Sequence, residues 1–373
     1  MITKIEIENY RGYQNSFIYD LSATKQYGFN KELVKDRVVN KALIYGPNGA
    51  GKSTLLLAFM ELSAILTDNN REIVPDNLYF YAGSNSRIAR FRFHFQFGDK
   101  KIVYDWGKSS WDKISYEKLF VNDVHVLEYS HTDSAHRFCS LEGVDSGVTA
   151  VQLADNQSFV KFLKVNTIQD ENSAISLLVN FAKGMLYFKN LIRGNQYLGF
   201  TAGVDSLDSR IIANNKLGEF SLFLKQQGLN YELVSVRDVS GQMIIGAKFG
   251  NKVVPFDAIA SSGTHTLELI FYWSMQFGKA TMVLIDEFDA YYHSDVAANL
   301  VNMLNKIDNA QIILTTHNTR LFSNDFTRPD CCFVHDGKAI KPVYALSDRE
   351  FRRGDNLERM YRENDFDVNK HSS

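Results

Sequence analysis

Cysteine is scarce in this chain: Cys139, Cys331 and Cys332 are the only three among 373 residues. An odd count with an adjacent pair suits neither a disulfide framework nor a CxxC metal knuckle, so a reducing, cytoplasmic setting is expected. Proline is scarcer for its class, five in all, and the 23 glycines follow no period, which excludes collagenous and proline-rich chains. No apolar run approaches the roughly 18 residues of a membrane span. The opening MITKIEIENYRGY alternates charged and apolar residues, so no signal peptide is expected. Charge of one sign is missing too. The 41 basic and 43 acidic residues leave a net charge of −2, which argues against a surface coated in nucleic acid and permits only a local basic groove. No heptads persist and no repeat recurs, so neither a long coiled coil nor a solenoid is expected.

What remains is a globular composition long enough for two packed lobes, at about 150 residues per domain. Ile2, Ile5 and Ile7 open with strand spacing, and Asn9-Tyr10-Arg11-Gly12 ends that strand. Arg90 to Phe97 (RFRFHFQF) alternates strictly, and Gly98-Asp99 separates it from Ile102 to Trp106, which predicts an antiparallel hairpin with one buried face. Between Lys108 and Pro255 the pattern is mixed. Val160 to Leu163, Ile175 to Leu186 and Gly218 to Gln227 read as helical, and Tyr231 to Val236 with Met243 to Phe249 as a second hairpin. Beyond Pro255 the order is helix (Ser262 to Phe277), strand (Met282 to Ile285), helix (Val296 to Ile307) and strand (Ile312 to Leu314). That alternation predicts βαβ units and a parallel sheet.

Three segments carry chemistry. Gly46-Pro-Asn48-Gly49-Ala50-Gly51-Lys52-Ser53-Thr54 fits G-x-x-x-x-G-K-[ST] after the buried strand Lys41 to Tyr45 and at the start of an apolar helix, Ser53 to Leu66. Glycines there let backbone N–H groups curl around a phosphate, and the helix N-terminus adds partial positive charge. Lys52 is placed to bridge β- and γ-phosphates and Ser53 to offer a hydroxyl to Mg²⁺. The strand Met282 to Ile285 ends in Asp286-Glu287. One carboxylate suffices for the metal, assigned to Asp286, and the next suits a general base, assigned to Glu287. A solvated acidic turn is the plain alternative. The strand Ile312 to Leu314 runs through Thr315-Thr316 to His317, whose imidazole can meet a γ-phosphate and orient water and base. Finally, Ser261-Ser262-Gly263-Thr264 opens an apolar helix, where ordinary capping and anion binding use the same N–H groups.

In this order the motifs resemble those of ABC-type ATPases, and Ile5-Glu-Ile-Glu-Asn-Tyr-Arg11-Gly is similar to the opening strand of the SMC, Rad50 and RecF branch. Asp286-Glu-Phe-Asp289-Ala-Tyr-Tyr-His293 and the Arg349 to Tyr361 tail are similar to SMC-like ATPases of anti-phage abortive-infection systems, as in Septu, PARIS and some retron systems, related to the overcoming-lysogenisation-defect nucleases. The resemblance covers about 1–60 and 255–365. It implies an α/β P-loop fold of ABC type, a mixed central sheet with a parallel core, an antiparallel β lobe and a helical insertion. The implied units are 1–107 (phosphate loop and β lobe), 108–254 (helical and mixed insertion), 255–345 (second half of the head) and 346–373 (tail).

The same resemblance implies an ATPase with Mg²⁺. Arg11 would lie near the nucleotide, and Ser261, Ser262 and Gly263 would reach the γ-phosphate of a second subunit in an ATP-sandwich dimer or higher homo-oligomer. It further implies a sensor that controls a nuclease-like effector, which is expected to be a separate polypeptide because no Toprim or HNH pattern occurs in this chain. The alternative is a RecF-type DNA-repair ATPase, for which Arg87, Arg90, Arg92, Lys100 and Lys101 are the candidate nucleic-acid groove. Gln96 is the candidate for the glutamine that couples metal to the lobe. Arg349, Arg352, Arg353, Arg359, Arg362, Tyr361 and Phe366 form either a solvated helix or a partner contact.

Overall fold

A computed structural model of the chain describes residues 1–68, 76–188, 197–199, 206–363 and 365–366. The fold is mixed α/β, built on two seven-stranded sheets. One is antiparallel throughout. Its strands lie in the spatial order Arg137–Cys139, Val124–Ser130, Ile114–Val121, Lys100–Lys108, Ala89–Phe97, Ile2–Glu8 and Phe17–Asp20. The expected hairpin is its centre, and Phe91, Phe93 and Phe95 alternate into the core as their spacing predicts.

The second sheet runs Tyr197–Gly199, Met185–Phe188, Met282–Ile285, Gln311–Thr316, Lys41–Tyr45, Cys332–His335, Ile340–Pro342. Its five inner strands are parallel and both edges antiparallel. The period-two alternation of these strands divides their side chains between two cores. Ala42, Ile44, Met282, Leu284 and Ile313 pack toward the helix Lys52–Leu66 and the antiparallel lobe. Leu43, Val283, Ile285, Ile312 and Leu314 pack in the second core, with side chains of the helices Ser262–Ser274 and Ser294–Asn305. The helix Lys52–Leu66 buries Leu55, Leu56, Phe59, Leu62 and Leu66 between the sheets, which explains why its sequence is apolar nearly all round. Gln311 ties the layers at their base: its amide exchanges hydrogen bonds with both backbone groups of Ile2 (3.0 and 2.9 Å) and donates to Val39 O (2.9 Å).

Three expectations need correction. The helix expected over Ile175 to Leu186 is Ala174–Lys183, and Met185–Phe188 is instead an inner strand of the parallel sheet. The helix ends at Gly184, where Thr281 donates its N–H to Gly184 O (2.9 Å) and its hydroxyl to Phe181 O (2.6 Å), and where a Cβ would sit 2.7 Å from the Thr281 side chain. The boundary drawn at 107/108 falls inside a continuous ladder: Lys100–Lys108 pairs with Ile114–Val121, so the lobe continues to Cys139. Residues 189–196 and 200–205 of the expected insertion lie outside the described residues. In the tail, Leu357, Met360 and Phe366 are buried and Tyr361 packs edge-on against Tyr45 at 4.6 Å. Those aromatic groups therefore cover the chain's own core, while Arg349, Arg359 and Arg362 pair with Asp355, Glu363 and Glu358 on the surface. The end of that tail, 367–373, also lies outside the described residues.

Two rings are buried in neutral form. Burial holds both His131 and His335 down at about 4 rather than the ordinary 6.5, with the Arg137 charge adding for His131. The unfolded chain takes up these protons near 6.5, so between that value and 4 it binds more protons than the fold does. Stability is then lost as pH falls through that window. Urea unfolding should therefore weaken from about pH 7.5 to about pH 5, on the order of 1–2 kcal/mol per ring. His131→Leu should remove about half of that loss; a loss unchanged in the variant would contradict the assignment.

Candidate functional site

Strand register decides where the three motifs meet. Ile285 pairs with Leu314, Leu314 with Leu43, and Thr316 with Tyr45. The three neighbouring parallel strands therefore end at one level, and open α/β sheets carry ligand sites at that carboxyl edge. The chain leaves it as Gly46–Ser53, as Asp286-Glu287 and as His317.

In the glycine-rich loop, Gly49 and Gly51 hold φ of 77° and 101°, left-handed values that a side chain would strain. Asn48 and Ser53 are exposed, Thr54 is half-buried and Ala50 is buried. Lys52 opens the helix but its ammonium turns back, donating to Gly46 O at 2.9 Å and Pro47 O at 3.1 Å. It also stands 3.0 Å from His317 Nε2. An ammonium has only protons to give, so this ring nitrogen accepts. Burial lowers the Lys52 pKa, and the charges of Asp286, Glu287 and Asp289 oppose the shift.

The carboxylates are set by a residue whose role the sequence did not disclose. Thr315, fully buried, donates its hydroxyl to Asp286 Oδ1 at 2.5 Å and accepts the Glu287 N–H at 2.8 Å. Glu287 sits at a φ of 45°, a left-handed conformation that costs a non-glycine residue about 1–3 kcal/mol. The Thr315 hydroxyl and the Phe288 N–H bond to Thr315 O, 3.2 Å, hold that turn. Glu287 Oε1 then lies 3.8 Å from His317 Nε2. Asp289 accepts from Thr316 at 2.8 Å, and burial raises its pKa. The only sequence signal for these partners is the Thr315-Thr316 doublet before His317.

The structure thus brings Lys52, Asp286, Glu287 and His317 together. Among the described residues Thr315 is the only hydrogen-bond partner of the Asp286 side chain, and Oδ2 carries none. Asp286 Oδ2 and the exposed Ser53 hydroxyl are hard oxygen donors of the kind that suit Mg²⁺. Ser261, Ser262 and Gly263 stand apart, with no hydrogen bond to that cluster among the described residues. Ser261 caps its helix by accepting the Thr264 N–H at 3.2 Å. Gly263 abuts the loop after the carboxylates, where a Cβ would meet Tyr291 O at 2.7 Å. Both serines are exposed. Arg11 is half-buried with its guanidinium over the Tyr10 ring at 5.5 Å and its N–H bonded to Tyr79 O.

Two further expectations concern the antiparallel lobe. The Gln96 side chain folds back on Gly98 O of its own hairpin turn, which does not suit a metal-coupling glutamine. Of the five basic residues in the candidate groove, Arg90 pairs with Glu8 (2.8 Å) and Arg92 with Asp105 (3.0 Å) within the sheet.

Residues 41–323 match a protein family described as "AAA domain, putative AbiEii toxin, Type IV TA system". No curated protein matches the chain significantly. Among solved structures it is similar to an SMC head bound to the C-winged helix domain of ScpA, with a TM-score of 0.44, 15% identity, and 91% of this chain and 96% of that one covered. It is also similar to the SMC head domain from Thermotoga maritima, with a TM-score of 0.44, 14% identity, and coverage of 92% and 98%.

Thr315→Val keeps the shape of the side chain but strands a buried carboxylate oxygen and the Glu287 N–H. It should cost about 1–3 kcal/mol in urea unfolding, against less than about 1 kcal/mol for Thr315→Ser. Equal stability of the two variants would show that the hydroxyl does not hold the turn.

Proposed function

We propose that this chain, which belongs to the AAA-domain family matched over residues 41–323, binds ATP with Mg²⁺ and hydrolyses it as an SMC-like ABC-type ATPase. The observation that carries the reading is the convergence of Lys52, Asp286, Glu287 and His317 on the ends of three adjacent strands. A lone glycine-rich turn binds anions; a turn facing a paired carboxylate and imidazole can also activate water.

In this reading Lys52 exchanges the Gly46 and Pro47 carbonyls for β- and γ-phosphate oxygens, while loop N–H groups cradle the β-phosphate. Ser53 and Asp286 would hold the Mg²⁺, which when bound would neutralise phosphate charge. Glu287 takes the proton of the attacking water as the water oxygen bonds to the γ-phosphorus and the bond to the bridging oxygen breaks. His317, beside both Glu287 and Lys52, orients that water and meets the γ-phosphate. Thr315 fixes the Glu287 backbone so that the base need not reorganise during the reaction.

The exposure of Ser261 and Ser262, together with their separation from the Lys52 cluster, supports a site completed by a second copy. Two helix N-termini then clasp one triphosphate, and loss of the γ-phosphate removes the contacts across the interface. Arg11 is proposed to lie beside the nucleotide. The tail and the Asp286–His293 pattern support a role in an anti-phage defence system, where nucleotide-driven dimerisation holds or releases a separate, nuclease-like effector.

Glu287→Gln should bind ATP with unchanged affinity while phosphate release falls about 10²- to 10⁴-fold, the range of a lost general base. With ATP and Mg²⁺ it should also sediment as a dimer. Turnover at the normal rate by a strict monomer would defeat the sandwich, and unchanged turnover in the variant would defeat the assignment of the base.

A further inference from the structure

The phosphate loop is gripped from behind by two buried side chains that none of the motifs includes. Tyr13 comes from the turn between the antiparallel strands Ile2–Glu8 and Phe17–Asp20, and His335 ends the parallel strand beside Lys41–Tyr45. The Tyr13 hydroxyl lies 3.0 Å from Gly51 O and 3.1 Å from His335 Nε2. Gly337 donates its N–H to His335 Nδ1 at 3.1 Å, so a neutral ring carries its proton on Nε2. The chain then has one direction: Gly337 N–H to His335, His335 Nε2–H to the Tyr13 oxygen, and the Tyr13 hydroxyl to Gly51 C=O. Gly51 O also accepts the first helical bond, from Leu55 N at 2.9 Å, so both of its lone pairs are engaged.

A trans peptide points its C=O and N–H in opposite directions. Fixing Gly51 C=O from behind therefore aims the Lys52 N–H out of the helix N-terminus, toward the space the loop encloses. The packing is close at both ends of the loop. A Cβ on Gly46 would lie 2.4 Å from His335 O, and one on Gly51 would lie 3.2 Å from the Tyr13 oxygen. Tyr13 is itself fixed by stacking on Phe17 at 4.1 Å. Burial keeps the Tyr13 phenol well above its ordinary pKa and His335 at about 4, so both groups stay neutral beside Lys52 at physiological pH.

We propose that Tyr13 and His335 are positioning residues for the triphosphate, which hold the Gly51–Lys52 peptide in its phosphate-receiving orientation and thereby set nucleotide affinity rather than the rate of the chemical step. This inference rests on the ATPase reading and deepens it. Glu287 and His317 lie on other strand ends and do not contact Tyr13 or His335 among the described residues, so affinity and turnover should separate.

The test uses the full chain with MgATP. Tyr13→Phe keeps the ring on Phe17 and removes only the hydroxyl. It should raise both the Kd for ATP and the KM about five- to tenfold, the worth of one hydrogen bond, with kcat within about twofold of wild type. His335→Gln should have a similar effect alone and add less than about twofold in the Tyr13→Phe background, because both act through one chain. Wild-type Kd in a folded Tyr13→Phe variant, a fall in kcat with KM unmoved, or independent multiplicative effects of the two substitutions would each overturn the inference. A Glu287→Gln variant that binds ATP without turnover would leave the ATPase reading standing in that event. A wild-type chain that neither binds nor hydrolyses ATP would remove both.

Discussion

The site depends on the in-register pairing of three parallel strands, Met282–Ile285, Gln311–Thr316 and Lys41–Tyr45. Their side chains alternate between two separate cores, so a slip of one residue would carry Leu43, Ile312 and Leu314 into the wrong layer and strand their neighbours likewise. Burial of each such Leu, Ile, Val or Met side chain is worth about 1.5–3 kcal/mol, and nine of them on these three strands act together. The register is thus enforced by hydrophobic packing well below the edge. The polar groups at the edge inherit their alignment from that packing and contribute little to it.

At the edge the energetic sign reverses. Lys52 is buried at the price of a lowered pKa, and Glu287 occupies a left-handed conformation. Asp289 is held in surroundings that disfavour its charge. Each is unfavourable alone, and each is met by a hydroxyl of the Thr315-Thr316 pair or by a loop carbonyl. A scaffold stabilised by packing within the parallel sheet tolerates this local strain and holds donors and acceptors in place before any ligand arrives, which is the arrangement electrostatic preorganisation requires.

Local sequence made some of this legible and not the rest, for physical reasons. The glycine-rich turn, the carboxylate doublet and the His317 strand each announce themselves within about ten residues, because strand, turn and helix signals are local. Met185–Phe188 does not. Its apolar run continues that of the preceding helix, and the groups that take up the helix-end carbonyls belong to Thr281, nearly a hundred positions away. The continuation of the β lobe past Lys108 is similarly a matter of pairing between distant neighbours. The tail aromatics carry an interface-like composition, yet Tyr361 spends its surface on Tyr45 and Phe322 of the same chain. Composition alone does not tell an internal partner from an external one.

The contacts that reach the phosphate loop come from remote parts of the sequence. Tyr13 approaches from the antiparallel lobe and His335 from the far side of the parallel sheet, more than three hundred residues apart in sequence and 3.1 Å apart in space. Gln311 joins the two sheets at their base, and Tyr361 seats the short helix Leu357–Arg362 against the strand that feeds the loop. Arg362 and Glu358 of that helix also hydrogen-bond Thr319, two residues beyond His317. Both sides of the candidate site are therefore braced by elements outside the motifs. The site is thus held by hydrogen bonds and ring contacts from distant parts of the chain as well as by the motifs themselves.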